Sequence, residues 1–334
     1  MDKNRKTNEN RRIDIVVPCH NEEKNITPFF DAVNAEKENV EGYDFSYIFI
    51  DDGSSDETLE KIKELIESED NRDIPIRYIS FSRNFGKEAA IYAGLQASAE
   101  GCDGIIADYT ILMDADLQHP PRLIPEMIRT VENEGCDCCA ARRVSRKGEP
   151  RVRSALSSLF YKLMNRFCDI NIVEGATDYR IMSRRMVKAV VSMPESQRFS
   201  KGIFAWVGFD TKWIEMENVE RKAGESSWSM WKLLSYAVAG FLDFAEAPLK
   251  FAGFIGGIVS VLAGVYLVLE LIKTIVVGKD LPGYESLICL ILIFGGIIIA
   301  LLSILGEYIG RMYLELKGRP IYIAKETGDN INAR

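Results

Sequence analysis

Two long stretches near the C-terminal end carry no charged side chain, and they set the first limit on what this chain can become. Residues 251–269 (FAGFIGGIVSVLAGVYLVL) run for 19 positions and residues 286–306 (SLICLILIFGGIIIALLSILG) for 21. As helices, each reaches across about 30 Å of hydrocarbon. Buried core helices are the alternative home for such runs, but a soluble domain rarely places two so close together. The GKDLPGYE between them is a natural short polar loop. A two-helix transmembrane domain over 251–306 is therefore expected. An even number of spans returns the chain to its starting side. Arg311, Lys317 and Arg319 follow the second run, while the loop offers Lys279. This basic bias predicts a multi-pass protein of the inner (plasma) membrane, with the large domain and both termini cytoplasmic.

The rest of the chain is different in character. Residues 1–250 hold nearly all the charge. Residues 1–12 form a polar tail with no signal-peptide pattern. The net charge of -8 argues against nucleic acid as a partner. Seven cysteines fit a reducing compartment. Cys136, Cys138 and Cys139 lack the paired spacing or histidine partners of a zinc site and read as small buried strand residues.

Over residues 13–142, short apolar runs alternate with helical segments. IDIVVPC (13–19), SYIFID (46–51), IRYISF (76–81), TILMDAD (110–116) and CDCCAAR (136–142) read as strands. Helices are expected from about Asn25, over ETLEKIKELIES, over GKEAAIYAGLQAS, and from PPRLIPEMIRTVENE, where proline suits the first turn. That alternation predicts an α/β domain with a mostly parallel sheet covered on both faces. In such sheets ligands sit beyond the carboxyl ends of the strands.

Polar residues stand at four of those ends: Asn21 and Glu22, Asp51 and Asp52, Arg83 and Asn84, Asp114 and Asp116. Any one pair passes for turn chemistry; the set reads as one crevice. A row of carboxylates repels phosphate unless a cation intervenes. Mg2+ or Mn2+ binds carboxylate and amide oxygens and bridges to phosphate. Asp116 and Gln118 are the pair placed to hold such an ion, and Asp52 is placed to accept hydrogen bonds from a base or a ribose. Neither GxxxxGK[ST] nor a well-placed GxGxxG occurs, which disfavours ATPase and dinucleotide readings.

VVPCHNEE, IDDGSSD, SRNFGKEAA, MDADLQHPP, DYRIMSRR and GRPIYI, in this order and with two apolar C-terminal runs, resemble glycosyltransferase family 2. The closer likeness is to its polyprenyl-phosphate branch, the bactoprenol glucosyltransferases and dolichol-phosphate mannose synthases, and it extends over residues 13–323. The resemblance implies a GT-A fold (Rossmann-like) over 13–220, a nucleotide sugar donor, a polyprenyl phosphate acceptor and inversion at the anomeric carbon. It assigns Pro18, Asn21, Glu22, Asp52, Arg83 and Asp114 to the donor nucleotide. It assigns Asp116 and Gln118 to the metal, and Arg142, Arg153 and Ser157 to the acceptor phosphate. Asp116 and Asp178 are its catalytic candidates, and Lys201 a possible phosphate or sugar contact. It also implies a homo-oligomer, with a tetramer among its forms; Gly253, Gly257, Gly306 and Gly310 give two GxxxG spacings suited to close helix approach.

Two further segments bear on the acceptor. Residues 142–154 (RRVSRKGEPRVRS) hold six basic residues against Glu149. Either this is a solvated loop, or it captures a phosphate at a membrane surface, for which arginine's fork is suited. Residues 221–250 read as an amphipathic interfacial segment with Trp228, Trp231 and Tyr236 at belt level and Lys232 able to snorkel. Residues 307–334 read as a cytoplasmic tail.

The function expected is transfer of a hexose, glucose from UDP-glucose first, to undecaprenyl phosphate, for cell-envelope glycan modification. GDP-mannose, UDP-N-acetylglucosamine and UDP-galactose remain open as donors. A lipid phosphate is already anionic, so Asp178 is expected to orient rather than to act as a strong base. A processive polysaccharide synthase would need more spans and a QxxRW motif, which Gln197-Arg198-Phe199 does not match. A membrane scaffold would not need Asp114, Asp116 and Gln118 together.

Overall fold

The computed structural model describes residues 10–101, 105–144, 162, 164–168, 170–217, 247–277 and 283–330. Strands β1 (Arg11–Cys19), β2 (Tyr43–Asp51), β3 (Ile76–Phe81) and β4 (Tyr109–Leu112) form a parallel set. Helices α1 (Ile26–Ala35), α2 (Thr58–Glu67), α3 (Lys87–Glu100) and α4 (Ile124–Glu134) follow them in turn. This α/β alternation matches the sequence pattern.

Along β1 the side chains divide between two cores. Ile13, Ile15 and Val17 join Phe29, Phe45, Phe49, Ile62 and Met127 on one face. Val16 joins Ile50, Ala90, Leu95 and Leu112 on the other. A strand covered on both faces can be apolar at every position, which is why β1 reads as a continuous run rather than an alternation. Asp14 is the exception. It lies 3% exposed within the strand and accepts from Ser46 Oγ, from Ser98 Oγ at 2.8 Å and from Arg12 Nε at 3.2 Å.

β5 (Cys138–Arg143), β6 (Ala176–Ser183), β7 (Thr211–Met216) and β8 (Ala324–Asp329) complete an eight-stranded sheet of order β7-β5-β6-β4-β1-β2-β3-β8. Four neighbouring pairs are parallel and three antiparallel, so the sheet is mostly parallel by a narrow margin. β6 and β8 run against their neighbours. Helices α5 (Arg184–Val191) and α6 (Ser200–Trp206) follow β6 and cover its face beside α3. Cys136, Cys138 and Cys139 are buried in the core as free thiols.

Two long helices follow, α7 (Ala247–Val277) and α8 (Tyr284–Leu316). Among the described residues one helix, Ile293–Leu316, is long and apolar enough to cross a membrane, and it extends ten residues beyond the boundary at 306 expected from the sequence. In α7 the described apolar stretch is Ala252–Tyr266, within a helix of 31 residues. Of the two spans expected, the described residues give one candidate by length and composition. The 221–250 segment lies largely outside the described residues, and its last four residues already belong to α7.

The expected tail over 307–334 divides in two. Its first part continues α8 to Leu316. The chain then returns to the α/β domain, where β8 pairs antiparallel with β3. Tyr322 stacks on Phe81 with ring centroids 4.8 Å apart. The buried Asn330 accepts from Ile76 N at 3.0 Å and donates to Asn71 O and Ile74 O at 3.3 and 2.9 Å. The far edge strand β3 is thereby closed by residues that come after the apolar helices.

Candidate active site

β1 pairs with β2 on one side and β4 on the other, so the direction of winding reverses beside it. Crevices form at such reversals, beyond the carboxyl ends of the strands. Leu112, the last residue of β4, is in register with Val16, so Asp114 emerges near Pro18 and the end of β1.

Backbone geometry draws the neighbouring loops inward. Asp52, 3% exposed, spends its carboxylate on the amides of Phe85 and Gly86, at 2.6 and 2.9 Å. Burial raises the Asp52 pKa, and these two backbone donors oppose the rise. Gly53 at φ +62° lets the turn after β2 touch the loop after β3. A Cβ there would stand 2.4 Å from the Arg83 carbonyl carbon. Asp51 accepts from Ser54 N at 2.9 Å and Ser80 Oγ at 2.7 Å. His20 bridges the same loops, Nδ1 lying 3.0 Å from Asp52 O and Nε2 3.1 Å from Asn84 Nδ2. Asn21 at φ +56° and Ser55 are tied by a 2.9 Å bond, and Glu22 N donates to Thr58 Oγ1 at 2.8 Å. Arg83 is exposed and lies over the Phe85 ring at 4.0 Å.

The centre of the crevice is a residue that motif reading passed over. Lys87, the first residue of α3, places Nζ 2.7 Å from Asp114 Oδ1 and 2.9 Å from Asp178 Oδ2. A lysine in a helix's first turn is opposed by the helix dipole. That misfit is the signal that marks it in sequence. Burial works against the Lys87 charge, but Asp114 and Asp178 outweigh it and raise its pKa far above the ordinary value. Burial likewise opposes the charge on both carboxylates. Lys87 holds Asp114 below the usual range, while Lys87 and then Lys201 hold Asp178 well below it. The Lys87 side chain is still 40% exposed, so solvent screens these pairs in part.

His119 is 3% exposed and stacks on Tyr179 with ring centroids 5.1 Å apart. Asp114 N donates to its Nδ1 at 3.1 Å, which puts any single ring proton on Nε2. Burial lowers its pKa, so it packs as a neutral ring that anchors the turn. Leu117 within that turn has φ +57°, a conformation costly for a leucine. It results in Asp116 Oδ1 accepting from Gln118 N at 3.0 Å. Gln118 Oε1 accepts from Arg143 Nη2 at 3.2 Å.

On the β5–β6 side, Arg142 pairs with Glu215 at 2.5 Å, and the Nε atoms of Arg142 and Arg143 are buried without a partner. Arg180 lies 3% exposed over the Phe204 ring at 3.9 Å and donates to Thr177 O at 2.8 Å. Lys201, on α6, is close enough to lower the Asp178 pKa. Arg153 and Ser157 lie outside the described residues. The structure therefore brings Asp114, Asp178, Lys87 and Lys201 into one electrostatic group, with Asp116 and Gln118 on the adjoining turn. It places Asp52 behind them as the support of the β3–α3 loop.

The sequence profile described as "Glycosyl transferase family 2" matches residues 14–191, more than half of the chain. CsbB of Bacillus subtilis (strain 168), a provisionally named glycosyltransferase, is 41% identical over 94% of this chain and 91% of its own. The prophage bactoprenol glucosyl transferase homolog of Escherichia coli (strain K12) is 39% identical over 94% of this chain and 98% of its own. The bactoprenol glucosyl transferase of Shigella phage SfX is 39% identical over 94% and 99% respectively. The profile covers β1 through α5, the segment that carries the carboxylates around Lys87, and by this match and these near full-length relatives the chain belongs to glycosyltransferase family 2 and is a glycosyltransferase.

Proposed function

We propose that the protein transfers a hexose, glucose first, from a nucleotide diphosphate sugar, UDP-glucose first, to a polyprenyl phosphate such as undecaprenyl phosphate. The observation that carries this reading is the extent of similarity to relatives named for glucosyl transfer to bactoprenol. An alignment of 314 of 334 residues has to include most of α7 and α8 as well as the catalytic domain. An acceptor dissolved in water would give those helices no task.

Their surfaces support a lipid setting. Phe254, Val261, Leu262 and Ile275 on α7, and Ile291, Ile299, Leu302 and Ile309 on α8, are all large and exposed. Apolar surface on this scale calls for a partner or a membrane. In this reading both α7 and α8 enter the bilayer, with the catalytic domain on the cytoplasmic face. Gly253, Gly257, Gly306 and Gly310 face open space, which leaves room for helices of further copies, as a homo-oligomer requires.

The proposed chemistry is one displacement. An acceptor phosphate oxygen forms a bond to the anomeric carbon as the bond from that carbon to the donor's diphosphate oxygen breaks, and the electron pair leaves with the nucleoside diphosphate. An ionised phosphate attacks without surrendering a proton. Asp178 suits that scheme, because a carboxylate held so far below its usual range is a poor base. Its role is to orient a sugar hydroxyl and to fix Lys87. Lys87 and Lys201 are placed to meet phosphate charge. Pro18, Asn21, Glu22 and Arg83 line the loops assigned to the nucleoside. Arg142, with Arg153 and Ser157, is assigned to the acceptor phosphate.

Asp116 and Gln118 fit a hard divalent cation, Mg2+ or Mn2+. They offer a carboxylate and an amide oxygen, and Gln118 Oε1 retains a lone pair beyond its bond to Arg143. Among the described residues no group of three or more His, Cys, Asp or Glu is arranged for a metal, so diphosphate oxygens and water would complete the coordination. A bound ion would supply charge stabilisation for the departing diphosphate.

The test uses purified full-length protein in detergent with undecaprenyl phosphate, Mn2+ or Mg2+, and labelled UDP-glucose, UDP-galactose, UDP-N-acetylglucosamine and GDP-mannose. Label moving from UDP-glucose into an organic-extractable lipid, lost on chelation, is the expected result. No transfer from any donor by folded protein with dispersed lipid would overturn it.

A further inference from the structure

The C-terminal end of the apolar helix α8 holds a loop of the catalytic domain. Glu315 lies in its last turn. Its Oε1 accepts from Ser196 N at 2.7 Å and from Gln197 N at 3.4 Å, and its Oε2 from Ser196 Oγ at 3.2 Å. One carboxylate thus gathers three donors from a loop far away in sequence. Charge-assisted bonds of this kind are stronger than neutral ones and fix geometry as well as position.

That short loop, Pro194 to Phe199, and Ser200 just after it reach a small core and helix α3. Phe199, 2% exposed, fills a small separate core with Met164, Cys168, Ile170 and Ile172. Those residues end the segment that also carries Arg153 and Ser157. Arg198 lies over the Tyr92 ring of α3 at 4.5 Å and donates to Met193 O. Ser200 N, the first amide of α6, donates to Glu88 Oε2 at 2.9 Å. Glu88 adjoins Lys87, and Lys201, the next residue after Ser200, acts on Asp178. A single loop therefore connects the end of α8 to the core formed by Met164, Cys168, Ile170 and Ile172 and, through Ser200, to the neighbours of both lysines of the crevice.

We propose that Glu315 is a positioning residue for glycosyl transfer, fixing the 194–199 loop so that Lys201 and the core around Met164 and Ile172 keep their register with Asp178. The proposal rests on the lipid-acceptor reading above. It adds that the apolar helix takes part in assembling the site as well as anchoring the domain. Glu315 touches no reacting atom, and its effect travels through Ser196 and Phe199 to the core around Met164 and to Lys201. The donor side, built from the loops of β1, β2 and β3, is held by Asp51, Asp52 and Gly53 and does not depend on Glu315.

The experiment compares full-length wild type, Glu315→Ala and Glu315→Gln in detergent with undecaprenyl phosphate and labelled UDP-glucose. Donor binding is measured separately by calorimetry, and amide hydrogen exchange is followed over 164–172 and 194–199. Glu315→Ala is expected to lower kcat/KM for the lipid about tenfold or more, with donor affinity within about twofold of wild type. Exchange should rise in both segments. Glu315→Gln keeps an acceptor oxygen for Ser196 N and should recover most of the activity. Lipid kinetics within about twofold of wild type in the alanine variant would overturn the proposal. So would a parallel loss of donor affinity and thermal midpoint, which would mark Glu315 as a general stabiliser. Wild type inactive with every donor would instead count against the lipid-acceptor reading, and the exchange data would still report whether Glu315 orders the loop.

Discussion

Lys87 Nζ lies 2.9 Å from Asp178 Oδ2 and 2.7 Å from Asp114 Oδ1, joining the start of α3 to the loop just after β4 and to the third residue of β6 through one ammonium group. Two carboxylates that would repel each other are held together by the lysine between them. Replacing it by glutamine leaves a polar group of similar length and removes the charge.

Lys87→Gln is therefore expected to lower kcat by about 100-fold or more, the scale of losing one charged stabiliser in an active site. Without Lys87, burial and mutual repulsion dominate Asp114 and Asp178, so both carboxyls rise in pKa and the acid limb of the pH–rate profile moves to higher pH. In wild type both folded pKa values are depressed. Their stabilisation is thus present above the unfolded carboxylate value of about 4 and is lost as pH falls from there through the folded values. The variant should lose stability at a higher pH than wild type in acid titrations followed by circular dichroism.

Asp178→Asn separates orientation from base catalysis. A depressed carboxylate that only orients its neighbours can be lost with a reduction of about tenfold, with the alkaline side of the pH profile unchanged. Abolished turnover with intact donor binding would show that the carboxylate does more than orient.

Asp116→Ala removes the carboxylate donor from the proposed ion site. Calorimetric titration with UDP-glucose should show Mn2+-dependent binding in wild type and little effect of Mn2+ in the variant. Donor binding in wild type that is indifferent to chelation would remove the metal from the scheme.

Asn330→Ala tests the return of the chain after α8. The side chain makes three hydrogen bonds to the β2–β3 connection and the start of β3, at 7% exposure. Leaving those backbone groups unpaired should cost about 2–4 kcal/mol. A denaturant midpoint unchanged from wild type would mean that β8 is dispensable for the domain.

Much of this protein was legible in its sequence. Strands β1 to β5 and helices α1 to α4 lie where hydrophobic runs and turn residues put them, because each run is a local signal. The row of polar strand ends was legible for the same reason: a strand must end before a polar loop begins. β6, β7 and β8 were not predicted as strands. ATDYRIMS and TKWIEM mix charge with apolar positions, and AKETGD has almost no apolar residue; it is a strand only because β3 offers an unpaired edge. Asp52 read as a ligand group, and the sequence did not show that it also accepts from amides of a loop that only the fold brings near. The sequence by itself determined the layered α/β domain, the acidic crevice and the apolar character of the last helices, all consequences of short-range pattern. Only the tertiary structure decided that Lys87 stands between Asp114 and Asp178, that Glu315 holds the loop before α6, and that the chain's last strand closes the sheet. Those contacts join residues far apart in sequence, and no local periodicity records which distant partner a charge or a sheet edge will meet.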